Sequence, residues 1–106
     1  MDDRYIYGEL NNKLNRAKPV SLVIEIGPNE WNEDNQVYIP VEGINSGSLV
    51  VCFYPTLATI NDTELNMKVY SRMGIFCTAL SNGLITLTRK NALYEKVTVG
   101  VWAWLS

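Results

Sequence analysis

Apolar residues recur at helical steps at the start of the chain and at every second position after it. Tyr7, Leu10, Leu14 and Ala17 are spaced three, four and three, the a/d seam of a coiled coil carried for little more than one heptad. The spacing predicts a helix over residues 3–18. Pro19 ends it, because proline disfavours helical backbone at Lys18 and has no N–H for the next bond. A helix this short is marginal alone in water. It needs a partner surface, either the domain's own sheet or further copies of itself.

From Val20 the period becomes two. In VSLVIEI, Val20, Leu22, Ile24 and Ile26 share one face, and Ser21, Val23 and Glu25 the other. GPNEWNEDN reads as a turn-rich loop holding Trp31. QVYIPVE places Val37, Ile39 and Val41 together, and Pro40, which cannot donate to a ladder, predicts an edge strand or a bulge. SLVVCFY is apolar on both faces, Leu49, Val51 and Phe53 against Val50, Cys52 and Tyr54, and so needs cover on both. Residues 55–67, rich in Thr, Asn and Asp, read mostly as loop with at most a helical turn. GIFCTAL and LITLTR flank Ser81-Asn82-Gly83, a tight-hairpin signal. KVTVGVWAWLS sets Val97, Val99, Val101, Ala103 and Leu105 on one face and Thr98, Gly100, Trp102 and Trp104 on the other.

These runs predict a mainly β fold, an antiparallel β-sandwich of about six or seven strands preceded by a short coiled-coil-like N-terminal helix. The corresponding division is a helical connector over 1–19 and a β head over 20–106. No internal repeat or low-complexity tract interrupts it.

The last strand holds more apolar surface than one core needs. Trp102 and Trp104, two residues apart on the face opposite the valines, form a contiguous patch of a kind that soluble monomers seldom expose. Three readings compete: a subunit interface, a surface covered by the N-terminal helix or the 55–67 segment, or a platform for stacking sugars. The interface reading also gives the short helix a purpose. A symmetric β oligomer raises the effective concentration of the helices enough for them to pair.

Composition narrows the chemistry. The 106 residues suit one domain. A net charge of −2, from nine basic and eleven acidic residues, argues against a nucleic-acid binder. No apolar run is long enough to span a bilayer, and the first twenty residues are too polar for a signal peptide. Histidine is absent, which excludes Ser-His-Asp and Cys-His catalysis. Cys52 and Cys77 lie in apolar runs and read as buried free thiols. A disulfide cannot be deduced from their spacing, and with no histidine they cannot complete a zinc site. A hydrolase built on two carboxylates remains conceivable. However, Glu30, Glu33, Asp34, Asp62 and Glu64 sit beside turn residues and read as solvated loop charges. Neither a GxGxxG nor a P-loop is present. No catalytic residue, metal or cofactor is expected.

Four phrases carry a resemblance. DDRYIYGELNNKL resembles the connector "DDRYYT…E…NKL" that introduces a short trimeric helix in tail-fibre and baseplate proteins of phages and prophages. WNEDNQVYIPVEGINSGSLVV resembles the opening "W…N.QTV.V.GVT…S.VIVS" of the small C-terminal domain that follows such connectors. YSRMGIFCTALSNGLITLT resembles its "Y…AGV.C.AQ..G.LTFTC", and VTVGVWA its closing "LTVNVVI". Together they span nearly the whole chain in the family's order. The chain departs from the pattern in a longer link over 61–68 and in the tryptophans of WAWLS, where the family has plain aliphatics.

The resemblance implies a receptor-binding tip of a phage tail: a homotrimeric structural protein of the virion, assembled in the bacterial cytoplasm, with no enzymatic activity. It also implies that the chain is a piece of a longer fibre. On this reading Tyr7, Leu10, Leu14, Ala17, Trp102 and Trp104 form the oligomer interface. The 27–35 and 55–67 segments would meet a host cell-wall polysaccharide, with Trp31 and Tyr54 as aromatic contacts, although a tryptophan in a loop more often lids its own core. Neither nucleic acid nor membrane insertion is involved. The alternative is a stand-alone extracellular carbohydrate-binding module, monomeric and with both C-terminal tryptophans exposed.

Overall fold

A computed structural model describes residues 19–105. The expected N-terminal helix, with Tyr7, Leu10, Leu14 and Ala17, lies outside the described residues. The described chain is mainly β. Its elements are β1 (Val20–Ile26), β2 (Gln36–Pro40), β3 (Leu49–Phe53), α1 (Ile60–Met73), β4 (Ile75–Ser81), β5 (Leu84–Arg89) and β6 (Val97–Trp104). They form two three-stranded sheets, ordered β1-β6-β3 and β2-β5-β4. Every pairing is antiparallel, an arrangement compatible with a β-sandwich.

The alternation places the side chains as their period requires. Val20, Leu22, Ile24 and Ile26 of β1 pack on the core, while Ser21, Val23 and Glu25 are exposed. Val97, Val99, Val101 and Ala103 of β6 are fully buried, and Ile39, Ile85 and Leu87 meet them from the second sheet in one continuous cluster. Val50 and Cys52 of β3 face inward and Val51 outward. Pro40 sits on β2, an edge strand, as its missing donor demands. The β4–β5 hairpin turns through Asn82-Gly83, with Ser81 opposite Leu84. Only Gly83 takes a positive φ, of 76°.

The main correction concerns the connection after β3. Residues 60–73, whose first part belongs to the 55–67 segment expected to be mostly loop, form α1. The Thr59 hydroxyl caps its start by accepting from the Asp62 N–H at 3.0 Å. Gly74, with φ 65°, closes it by donating to the Tyr70 carbonyl. The helix turns Asn66, Val69 and Met73 inward and leaves Ile60 and Leu65 exposed.

Candidate functional site

The two ends of the β1-β6-β3 sheet differ. At one end Val20 lies opposite Ala103, and this is where the preceding chain joins the sheet. At the other, Glu25 lies opposite Thr98 and Ile26 opposite Val97. Seven residues of strand set these ends roughly 20 Å apart.

At the far end β3 is too short to cover β6. Its last pair is Phe53 with Gly100, which would leave the backbone of Thr98 unpaired on that side. The side-chain amide of Asn66 takes the missing strand's place. Its Nδ2 donates to the Thr98 carbonyl at 2.8 Å and its Oδ1 accepts from the Thr98 N–H at 2.7 Å. This two-bond clamp fixes α1 against the sheet and opens a cleft of about 420 Å³ beside it. Leu57, Ala58, Leu65 and Val69 form its apolar wall. Glu25, Asp62, Glu95 and Lys96 supply its charges, and Lys96 Nζ stands 3.7 Å from the Glu25 carboxylate. Among the described residues Asp62 and Glu95 have no ion pair. Three carboxylates against one ammonium make the cleft acidic, so it disfavours anionic ligands and offers acceptors to hydroxyls or amines.

Loop 27–35 is a stiff set of turns. Asn32 Oδ1 accepts from the N–H groups of Asp34 and Gln36 at 2.9 and 3.0 Å. Of the two readings of Trp31, exposed contact or lid on its own core, the structure shows the second: it turns into the core and is 7% exposed. The cause is Arg89. It shares the inward phase of Ile85 and Leu87 and lays its guanidinium carbon 4.9 Å from the Trp31 ring centre. Arg89 Nε donates to Asn35 Oδ1 at 3.1 Å, and a terminal nitrogen donates to the Leu93 carbonyl at 3.0 Å. Burial lowers its pKa from the ordinary arginine value.

Tyr54 is exposed and meets Tyr70 of α1 edge-on, with ring centres 5.9 Å apart. Beneath this pair lie Cys52 and Cys77, both free. Burial, then the neighbouring Cys77, pushes the Cys52 thiol up to about 11. Burial, then Cys52, pushes the Tyr70 hydroxyl up to about 12. Burial raises Cys77 too, partly offset by its contact with the Ala79 carbonyl. Raised thiol pKa values leave little thiolate near neutral pH, so these are packing residues with little nucleophilic character. Among the described residues, no group of three or more acids and cysteines is placed to hold a metal ion. None of their helices is long and apolar enough to cross a membrane.

The outer face of the β1-β6-β3 sheet carries the predicted patch. Trp102 is 45% exposed, whereas Trp104, on the same face, is buried at 8%. Their rings meet edge-on at 6.1 Å, and Phe53 meets Trp102 from the other side at 5.3 Å. Phe53 lies across β6 where Gly100 has no side chain. A Cβ there would stand 2.4 Å from the ring.

No protein-family model matches the chain, and neither the curated proteins nor the solved structures searched return a match.

Proposed function

We propose that the chain is a tip domain of a phage tail fibre or baseplate, a homotrimeric β-sandwich head on the end of a helical stalk, acting by recognition without chemistry. The observation that carries this reading is the polarity of the β1-β6-β3 sheet. The preceding chain joins one end, and the opposite end holds an open cleft between α1 and the strands. A fibre tip needs that arrangement, with attachment behind and a recognition surface in front. Its ligand is a saccharide of the host surface, neutral or amine-bearing. The carboxylates of Asp62 and Glu95 accept from its hydroxyls or amines, and Leu65 and Val69 contact its apolar ring faces. Three copies sum weak contacts through multivalency.

The test is retention of the full chain on immobilised bacterial surface polysaccharides, alongside D62N and E95Q. Retention of the parent and a loss of about 10-fold or more in the double variant is the expected result, with no release of shortened glycan. Equal retention of both proteins overturns the cleft as the attachment site. The exposed Trp102 favours a second reading, a stand-alone glycan-binding module, under which Trp102→Ala abolishes retention while D62N and E95Q do not.

A further inference from the structure

The outward faces of the two sheets are built differently. On β2-β5-β4 the outward face mixes hydroxyls with the exposed side chains of Tyr38, Phe76 and Leu84. Thr78, Thr86 and Thr88 lie along it, and Thr78 Oγ1 stands 2.8 Å from Thr88 Oγ1 and 3.4 Å from the Thr86 carbonyl. Polar groups attend both of its aromatic rings: the Tyr38 hydroxyl donates to Gln36 Oε1 at 3.3 Å, and Lys90 Nζ lies 5.9 Å from the Phe76 ring centre. On β1-β6-β3 the central stretch carries Leu49, Val51 and Phe53 from β3, Val23 from β1, and Trp102 and Trp104 from β6. Val23 is 64% exposed and Val51 43%. Charge is confined to Glu25 at the cleft end.

Trp102 is also held in place. Phe53 braces one edge of it, Trp104 the other, and Gly100 makes the room that Phe53 needs. A rigid tryptophan at the centre of an uncharged apolar ridge loses little entropy on being covered and has few polar groups to desolvate. Interface anchors have these properties.

The point at which the rest of the chain attaches favours a second copy as the occupant. The eighteen residues before Pro19 meet the sheet at Val20, opposite Ala103 and flanked on β6 by Trp102 and Trp104. Those residues carry the Tyr7, Leu10, Leu14 and Ala17 seam. If copies join along that seam, this end of each head is brought to the others. We infer that the Val51–Phe53–Trp102 ridge docks against further copies of the same chain, with the ridges of the heads turned toward their common axis. The inference rests on the trimeric reading above and adds the surface that holds the heads together. One heptad of seam is too little to do so unaided.

The test is molar mass in solution by light scattering on the full chain, over a dilution series, for the parent and for Trp102→Lys and Val51→Lys. Both positions are exposed, so the folded protomer tolerates the change, and far-ultraviolet circular dichroism checks this. The expected parent mass is three times 12.0 kDa, about 36 kDa. Each variant should remain folded and dissociate at a concentration on the order of 30-fold higher or more. The parent's tryptophan emission should shift to the red as dilution separates the chains. Folded variants that stay trimeric at the parent's dilution limit overturn the ridge and leave the trimer standing. A parent that is monomeric at every concentration overturns both.

Discussion

Gly100 is the residue on which the outer face turns. Phe53 lies across β6 only because nothing projects from that position, and Trp102 is braced only because Phe53 lies there. Gly100→Ala places a methyl group between 2.4 and 2.9 Å from three ring carbons. The ring must swing away, at a cost of about 1–3 kcal/mol. Urea unfolding should show that loss, and tryptophan emission should change because Trp102 loses one of its braces. Unchanged stability and emission would mean that Phe53 is not held against the strand.

The inward-facing residues of β6 were legible from alternation, and so was the outward phase of its two tryptophans. What period two cannot do is separate Trp102 from Trp104. They share a face and differ about sixfold in exposure, a difference that alternation along the strand does not carry. The burial of Trp31 has a second readable signal besides the habit of loop tryptophans to lid their own core. Arg89 falls in phase with Ile85 and Leu87, so the alternation already turned a guanidinium inward, and such a group needs a partner.

Among the elements, α1 is the one the hydrophobic pattern hides. Its inward stripe starts with an asparagine, and two of its larger apolar residues, Ile60 and Leu65, face solvent. Apolar periodicity therefore points away from the packed face. Its end signals were present all the same: Thr59 three residues before Asp62, and Gly74 at the close. The asparagine inverts the pattern because it serves β6 as a strand would. Asn66→Ala removes both bonds to Thr98 and leaves a backbone N–H and C=O without partners beside the helix. The expected loss is about 2–3 kcal/mol in denaturant unfolding. Amide exchange should quicken first at Thr98 and along α1. A variant as stable as the parent would mean that water replaces the clamp at no cost.

At the scale of the molecule, Cys52 of β3 and Cys77 of β4 bring one edge of each sheet together under Tyr70 of α1. Their titration therefore reports on the whole assembly. The Cys52 thiol lies near 11 in the folded protein against 9.0 for a free thiol, and the Tyr70 hydroxyl near 12 against 10.0. Below pH 9 both groups are protonated, folded or unfolded, and they contribute no pH dependence. Above it the unfolded chain releases protons first, so stability falls as pH rises from 9 toward 11 and beyond. The drop attributable to Cys52 is of order 1–3 kcal/mol. Denaturation midpoints taken at pH 8 and at pH 10.5 should show the decline, and Cys52→Val should reduce it to the smaller part that Tyr70 contributes. A midpoint independent of pH would place the thiol in water.

The strand order of the first sheet has a consequence in time. β1 and β3 do not pair with each other. Each pairs only with β6, the last strand of the described chain. As the described strands are made, β1 emerges first yet has no partner until β6, the last of them. The second sheet holds a local hairpin, β4–β5, and can begin to form earlier. Assembly of this sheet is therefore gated by β6. The Trp102 ridge comes into existence only in that last step, so a growing chain cannot present the surface until the body behind it is complete.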